Sequence, residues 1–301
     1  MPAPPTFLKK NFWKKNPVSS VISDPWPPKY SVMWENDKAL GNHVNSLVKQ
    51  GHFPQLLKTS HTDATWQSYL YNLPKGTMKF LLNSCLDTLP TKANLHQWSK
   101  SPTDKCAHCN NRETTNHILN CCNKYLQDGR YLYRHDLILH FFSQHLDKSR
   151  FTIYIDIPNH QTATKGTIPP QVCVTPLKPD IVIFDEKTKN AFFFELTVPF
   201  ELRISEAHKL KTEKYSHFEK DITEYTTKII ALEIGSRGHV TSENKDRLKL
   251  LHNFTTKDLK FKSFVKSVSA ISVLGSYYIF ISRKEAEFNA NTPYIRSPFS
   301  Q

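Results

Sequence analysis

The sequence predicts an α/β fold, of the α+β kind, in which helices flank a small mixed β-sheet. Two apolar runs, residues 178–184 and 191–198, flank a short polar segment, which predicts a hairpin of two buried strands. Helical periodicity follows directly, in residues 204–218. Cysteines and a histidine cluster upstream, in residues 106–122, and predict a metal knuckle. A helical segment precedes that knuckle, so the α/β core is expected to be the C-terminal part of the chain.

The N-terminal part of the chain changes from a basic, proline-rich composition to a helical pattern. Apolar spacing predicts one or two amphipathic helices that Pro90 stops, and then a shorter helix at residues 93–98. We expect a weakly ordered arm with one helix at 38–49, a helical linker, the knuckle, the α/β domain and a frayed tail. Their predicted bounds are 1–64, 65–105, 106–136, 137–287 and 288–301.

The remaining elements of the α/β domain follow from alternation and periodicity. Alternating apolar residues predict strands, and long apolar stripes at helical spacing predict helices. The predicted strands are 151–157, 171–175 and 228–234, and the predicted helices are 244–254 and 259–280. Residues 158–170 contain proline and glycine and are expected to form a loop near the functional site.

The composition indicates a polyanionic partner. Forty Lys and Arg against 27 Asp and Glu give a net charge of +13, which favours nucleic acid. The N-terminus has no signal-peptide core, and by inspection no apolar run is long enough to span a bilayer. Clustered cysteines favour metal over disulfides and therefore a reducing compartment. We expect an intracellular protein that is neither secreted nor bound to a membrane.

Two carboxylates lie inside the predicted hairpin. Asp180 opens the first strand and Glu195 lies within the second, so antiparallel pairing can bring them together. Carboxylates in apolar strands need a cation, and a divalent metal would serve both. Lys211 lies one helical turn after Ala207 and one turn before Tyr215, on the apolar face of the next helix. The alternative interpretation is a strand-edge Asp, a salt-bridged Glu and a snorkelling Lys.

The cysteine cluster has the spacing of a structural zinc site. Cys106 and Cys109 form a CxxC pair. Seven residues separate Cys109 from His117, and Cys121 and Cys122 follow. Thiolates and imidazole saturate a tetrahedral Zn²⁺. Four ligands are needed and five candidates exist; His108, inside the CxxC turn, is the weaker sixth. The alternative is that these cysteines are free and clustered by chance.

These motifs together resemble a known family. The chain carries KPD at residues 178–180 and, after fourteen intervening residues, ELTVPFE beginning at Glu195, then AHKLKTEKY at 207–215. This order of motifs is similar to the restriction-enzyme-like endonuclease of certain non-LTR retrotransposons, within the PD-(D/E)xK nuclease superfamily. The resemblance implies that Asp180 and Glu195 hold catalytic Mg²⁺. Thr197 replaces the usual lysine of the superfamily, so the resemblance implies a lysine from the next helix, Lys211 or Lys214.

The resemblance extends to the knuckle and to several basic residues. The family leaves four residues between the His and the last Cys of the zinc motif, which implies Cys122 as the fourth ligand and Cys121 as the alternative. Residues 129–136 and EIGSRG at 233–238 also match the family. The residues implied as phosphate contacts are Arg130, Arg134, His135 and Arg237. Asp136 would orient His135 or cap a helix; alternatively this segment is a helix with a polar first turn.

The resemblance implies a DNA-nicking phosphodiesterase of the nucleus, with structural Zn²⁺ and catalytic Mg²⁺. Its partner would be DNA or the RNA of the parent element. No aspartate pair of the polymerase type occurs, so polymerisation is not expected. The rival interpretation from another class is an inactive or domesticated remnant that only binds nucleic acid. A resolvase-like nuclease shares the chemistry but does not explain the knuckle. Tyr215 is expected mainly in the core.

Overall fold

The computed structural model describes residues 42–43, 46–47, 53, 72–157, 179–215, 225–256 and 258–291. The chain divides into two compact units, Leu56–Phe288 and a unit made of Met1–Gln55 with Asn289–Gln301. Only short pieces of the latter are described, and the fold below is that of Leu56–Phe288. Several predicted features lie outside the described residues: nearly all of the arm with its helix, residues 65–71, the loop 158–170, the strand 171–175, Cys173 and most of the tail.

Among the described residues, four strands form one mixed sheet in the order β1-β2-β3-β4. β1 (Thr152–Ile155), β2 (Ile181–Asp185) and β3 (Asn190–Thr197) pair antiparallel. β4 (Thr226–Glu233) runs parallel to β3. The hairpin forms because two β-branched and aromatic runs flank a polar turn, which suits strands that are buried on both faces. The predicted α/β fold with a small mixed sheet is confirmed.

Helix α5 (Ile204–Tyr215) lies in the connection between the parallel strands β3 and β4, where a crossover is required. Alternate residues of β3 face opposite sides of the sheet. Phe193 packs on one side with Tyr215 of α5, and its neighbours contact Phe254 on the other side at ring-centroid distances of 4.8 and 6.3 Å. Glu195 has the parity of Phe193 and therefore faces α5.

The remaining described helices cover the sheet and one another. α1 (Lys75–Cys85) and α2 (Lys92–Gln97) precede the knuckle, α3 (Asn123–Gln127) and α4 (Arg130–His145) follow it, and α6 (Ser242–His252) and α7 (Phe261–Ile281) end the fold. Helices α4 and α7 pack closely: a Cβ added at Gly275 would lie 2.7 Å from Cγ of Arg134. The two long helices predicted near the C-terminus are confirmed.

Helix α7 corrects one statement made from the sequence. Its 21 residues are long and apolar enough to cross a membrane by length and composition, although inspection of the sequence found no such run. About 72% of its most apolar window is buried inside the fold. A core helix passes the same test, and α7 packs its apolar residues against α4 and α6.

Two predicted boundaries are wrong. The boundary between residues 136 and 137 falls inside α4, because the apolar stripe after it and the basic residues before it belong to one helix. The helix expected to run to Pro90 ends at Cys85 instead, where Leu86 donates its N–H to the Leu82 carbonyl. The residues that follow turn through Asp87, whose φ of 50° is left-handed.

Candidate active site and metal centre

Asp180 lies immediately before β2 and is fixed by the pairing of three strands. Its Oδ2 accepts the backbone N–H of Leu196 on β3 at 2.6 Å. Its backbone carbonyl accepts the N–H of Asp156, after β1, at 3.0 Å. A carboxylate that accepts a backbone N–H from the neighbouring strand cannot swing away without losing that bond. Asp180 is thereby held next to Glu195, as the hairpin predicts.

Glu195 is buried in the sheet, and both of its carboxylate oxygens have donors. Oε2 accepts a hydrogen bond from Nζ of Lys211 at 2.7 Å, and Oε1 accepts one from the hydroxyl of Tyr215. Burial raises the pKa of Glu195, and the nearby charge of Asp180 raises it further, while Lys211 and Tyr215 act in the opposite direction. A buried glutamate with a second carboxylate beside it forms a site that favours a cation.

Helix α5 presents one lysine to the carboxylates and one to solvent. Lys211 and Tyr215 lie one turn apart on the side that faces β3. Lys214 is exposed, and its Nζ contacts the hydroxyl of Tyr215 at 3.1 Å rather than a carboxylate. The predicted placement of Lys211 against Glu195 is therefore observed. Tyr215 is buried as expected, but it also belongs to the site, because it donates to Glu195.

His135 of α4 reaches the other carboxylate. Its Nε2 lies 3.3 Å from Oδ2 of Asp180, and its Nδ1 lies 3.1 Å from Oδ1 of Asp136. Burial alone would lower the pKa of His135, but hydrogen bonds to Asp136 and Asp180 outweigh it and raise the pKa to about 9. Asp136 orients His135 as expected and does not cap a helix, since α4 begins six residues earlier. His135 contacts Asp180, and this contact was not predicted.

A cavity of about 300 Å³ opens beside the Glu195–Lys211 pair. It lies between α5, β4 and α6, and its wall contains both charged and apolar side chains. The lining residues are Glu195, His208, Lys211, Thr212, Tyr215, Ile229, Ile230, Ala231 and Arg247. A concave site with a few convergent polar groups is the usual form of a ligand-binding or active site.

Sequence reasoning missed a cluster of Glu233, His208 and Arg247, of which the last two line this cavity. Oε1 of Glu233, at the end of β4, accepts from Nδ1 of His208 at 2.9 Å, and its Oε2 accepts from Arg247 at 2.7 Å. Glu233 ends an apolar strand just as Glu195 interrupts one, so the same pattern could have identified it. The partners were not recognisable, because they lie 25 and 14 residues away in the sequence.

Arg130 and Arg134 do not lie where a DNA phosphate could meet them. Arg130 and Arg134 are 0% and 2% exposed, respectively, because the side of α4 that carries them packs against α7 and the knuckle. Arg130 donates to the Glu285 carbonyl at 2.9 Å. Arg134 donates to the carbonyls of Leu119 and Val198, each at 3.0 Å, and burial lowers its pKa to about 10. The phosphate-contact prediction is wrong for both arginines.

Arg237 is also an interior residue, 5% exposed. Its Nε lies 2.7 Å from Oε2 of Glu201, and its Nη1 donates to the Ser84 carbonyl at 3.0 Å. This buried ion pair joins the turn after β3 to the loop after β4 and to α1. The expected phosphate contact is wrong here too, because a charge that balances a buried carboxylate and satisfies a carbonyl has a structural role.

The knuckle brings together the four predicted ligands. Single donor atoms of Cys106, Cys109, His117 and Cys122 all lie within 4.8 Å of one another, and Sγ of Cys109 is 3.3 Å from Nε2 of His117. Burial raises the pKa of the Cys122 thiol to about 12, so a thiolate there needs a cation. Three sulfurs and one imidazole nitrogen are a donor set that could bind a metal such as zinc.

The two other candidate ligands lie elsewhere. The Cys121 side chain is exposed, and its Sγ contacts Oδ1 of Asn116 at 3.7 Å. Nε2 of His108 lies 2.9 Å from the Arg283 carbonyl. The wide, π-type turn His117–Cys121 ends at Cys121, and Cys122 directly after it is extended. The Cys121 side chain is exposed, whereas Cys122 is buried. The arrangement agrees with the spacing that favours Cys122.

The knuckle is joined to the strand that carries Glu195. Asn120 donates through Nδ2 to the carbonyl of Val198, just after β3, at 2.7 Å. Arg134 donates to the same carbonyl and to that of Leu119 in the π-type turn. The end of β3 and the knuckle therefore share hydrogen-bond donors, and a displacement of one removes partners from the other.

No protein-family model matches this chain. A search of curated proteins also found no match.

Proposed function

We propose that this chain is a Mg²⁺-dependent DNA endonuclease of the retrotransposon type, which hydrolyses a phosphodiester bond in one strand. The observation that carries the proposal is the convergence of Asp180, Glu195 and Lys211 from two paired strands and the next helix. Two carboxylates and an ammonium group beside a cavity can hold a metal and stabilise negative charge on phosphate. The resemblance implies the same two carboxylates and a lysine of this helix, Lys211 or Lys214.

The donors of the site suit Mg²⁺, which prefers carboxylate oxygens. Asp180 and Glu195 would hold the ion, and it would relieve the repulsion that, after burial, raises the pKa of Glu195. When bound, the ion polarises the scissile phosphate and lowers the pKa of a bound water. Hard oxygen donors at this site and sulfur donors at the knuckle select different metals.

The chain's own residues have separate roles in this proposal. Lys211, hydrogen-bonded to Glu195 at 2.7 Å, would orient the attacking water or neutralise charge that develops on the phosphate. Tyr215 holds the second oxygen of Glu195. His135 contacts Asp180 at 3.3 Å and keeps its carboxylate turned toward Glu195. Preorganised charges of this kind act without having to rearrange during the reaction.

We further propose that the knuckle holds one structural Zn²⁺. Cys106, Cys109, His117 and Cys122 would complete a closed tetrahedron, which leaves no position for substrate. Because Asn120 and Arg134 connect the knuckle to the Val198 carbonyl, bound zinc would also influence the position of the end of β3. The partner of the whole chain would be DNA in the nucleus, because a net charge of +13 favours a polyanion and polyanion binding is dominated by phosphate contacts.

A nicking assay tests the catalytic proposal. Purified chain and Mg²⁺ are mixed with supercoiled plasmid, and conversion to the open circle is followed for the native chain and for Asp180→Ala. We expect the variant to lose activity by a factor of ~10³ or more. Asp258→Ala serves as the control because Asp258 is exposed and lies outside the site.

A second readout does not depend on activity. Mg²⁺ should raise the melting temperature of the native chain and of Asp258→Ala but not that of Asp180→Ala, because only an intact site binds the ion. Cleavage by Asp180→Ala at the native rate would contradict the assignment. Native chain that binds DNA, never nicks it and does not respond to Mg²⁺ would instead be the inactive binder.

A further inference from the structure

A second charged cluster lies on the same face of the sheet as Glu195. Ala231 of β4 is paired with Glu195, and Glu233 follows two residues later, so it has the same parity. The spacing along the strand is about 6.6 Å. His208 and Arg247 bind the two oxygens of Glu233 and line the cavity that Lys211 and Glu195 also line. The two clusters therefore share one cleft.

This second cluster is rigid. The side chain of Glu233 is fully buried. Asn244 of α6 accepts the backbone N–H of Glu233 at 3.2 Å and donates to its carbonyl, and Nε of Arg247 approaches Oδ1 of Asn244 at 3.3 Å. The guanidinium is thus held by a carboxylate and an amide at the same time. A cation that is already oriented loses little conformational freedom when it binds a ligand.

The side chains beside Glu233 leave hydrogen-bond donors available to the cavity. Each oxygen of Glu195 and Glu233 already accepts a hydrogen bond from within the chain. Arg247 has five N–H groups, and among the described residues its contacts involve Nε and one terminal nitrogen only. Its side chain is 23% exposed and that of His208 is 39% exposed. A cleft of this kind suits an anion with several acceptor oxygens.

We propose that Arg247 and His208 form a binding subsite for a phosphate of the nucleic-acid strand, one or two nucleotides from the cleaved bond. Glu233 lies about 6.6 Å along β4 from Ala231, and Ala231 lies about 4.8 Å across the sheet from Glu195. The Glu195 and Glu233 positions are therefore roughly 8 Å apart, which corresponds to about two nucleotides at roughly 3.4 Å of rise each. The inference rests on the proposed nuclease function for its location, but the phosphate contact itself is a binding property. The subsite would fix which phosphodiester bond of the nucleic-acid strand lies beside Lys211.

The test is the salt dependence of DNA binding, measured without added Mg²⁺ so that cleavage plays no part. Affinity for a duplex oligonucleotide is measured across salt concentrations for the native chain and for Arg247→Met. Loss of one phosphate contact should reduce the slope of log affinity against log salt by about 0.9, and at low salt the affinity should fall about tenfold. Arg150→Met is the control, because Arg150 is an exposed arginine that, like Arg247, pairs with a carboxylate, here that of Asp147.

A slope equal to the native one in folded Arg247→Met would overturn the subsite and leave Arg247 as a structural partner of Glu233. If Arg247→Met does not fold, the double variant Glu233→Gln/Arg247→Met replaces it, because removing both charges leaves neither buried alone. In the native chain, the imidazole NMR signals of His208, assigned with His208→Asn, should shift when DNA is added. Their invariance would contradict the proposal even if no Arg247 variant folds.

These results separate the subsite from the nuclease function. A reduced salt slope in a chain that never nicks plasmid keeps the phosphate subsite and removes the proposed catalysis. Nicking by the native chain together with an unchanged slope and unshifted His208 signals keeps the nuclease and removes the subsite.

Discussion

Nζ of Lys211 lies 2.7 Å from Oε2 of Glu195, a residue sixteen positions earlier in the sequence. The contact exists because β3 buries Glu195 on the side covered by α5, and because Lys211 lies one turn before Tyr215 on that helix. The lysine side chain remains 25% exposed, so its ammonium group is available to a molecule in the cavity. Lys211 therefore has one contact inside the protein and one side open to a ligand.

Lys211→Met should reduce Mg²⁺-dependent nicking by a factor of roughly 10²–10⁴, the usual range for a positioned proton donor or acceptor. DNA affinity should remain nearly native. We expect little change in the melting temperature, because Glu195, whose pKa is already raised, can take up a proton when its partner is removed. Plasmid nicking and thermal unfolding are measured on the same preparation.

Lys214→Met is the matched control, since Lys214 lies on the same helix and contacts the Tyr215 hydroxyl instead of a carboxylate. It should nick at close to the native rate. If Lys214→Met is inactive and Lys211→Met is active, the assignment of the lysine is wrong while the nuclease function stands. If neither substitution affects nicking, the site does not act as proposed.

Substitutions in the knuckle should distinguish the two adjacent cysteines. Purified chain should contain about one Zn²⁺, and Cys109→Ser or Cys122→Ser should lower both the zinc content and the melting temperature. Cys121→Ser should do neither, because the Cys121 side chain is exposed outside the four-donor cluster. Metal analysis and thermal unfolding provide the measurements. Equal and small effects of all three substitutions would show that no metal knuckle forms.

DNA binding by the native chain should weaken steeply with salt. Each phosphate that the protein neutralises contributes about 0.9 log units of affinity per log unit of salt. Binding should be only weakly sequence-selective, because no base-reading motif is visible in the sequence. Titrations of labelled duplexes of different sequence over a range of salt concentrations measure both properties. A flat salt response would remove nucleic acid as the partner.

Arg134→Met should lower stability without affecting the salt dependence of DNA binding. Its guanidinium donates to the carbonyls of Leu119 and Val198. Asn120 also donates to Val198, so the substitution mainly deprives the buried Leu119 carbonyl of its donor, at a cost of about 1–3 kcal/mol. We expect a loss of about 1–3 kcal/mol in the free energy of unfolding, measured by denaturant titration. Arg150→Met, an exposed control, should change it by less than ~0.5 kcal/mol. A lower salt slope with native stability would restore the DNA-contact interpretation of Arg134.

The parts of the site that were predictable from the sequence are those set by local periodicity. Asp180 and Glu195 stand out as carboxylates in apolar strands, and hairpin pairing is enough to bring them together. Lys211 follows from the spacing of one helical turn. In each case the pattern that makes the element also determines which way the side chain points.

The unpredicted parts depend on which elements pack together. Arg134 and Arg237 were expected to contact phosphate, but each is buried and instead donates to groups of elements distant in sequence. The cluster of Glu233, His208 and Arg247 likewise joins a strand to two helices. Such contacts leave no periodic trace in the sequence, because they depend on tertiary placement rather than on the period of one element.

His135 allows a last prediction, because two interpretations of it differ in what they change. The sequence resemblance implies a phosphate contact, whereas its Nε2 lies 3.3 Å from Oδ2 of Asp180 and its Nδ1 is held by Asp136. A residue that orients a metal ligand typically changes metal affinity by about 10–100-fold when it is removed. His135→Ala should therefore raise the Mg²⁺ concentration needed for half-maximal nicking by about that factor and weaken the Mg²⁺-induced rise in melting temperature.

The salt slope of DNA binding should stay native in His135→Ala, since no phosphate contact is lost. Asp136→Asn should act in the same direction but more weakly, because it loosens the histidine without removing it. His96→Ala is the control, because His96 is exposed at the end of α2 and contacts the Ser101 carbonyl, away from the carboxylates of the site. If His135→Ala reduces the salt slope by about 0.9 and leaves the Mg²⁺ requirement unchanged, His135 is a phosphate contact and Asp180 is positioned by the strands alone.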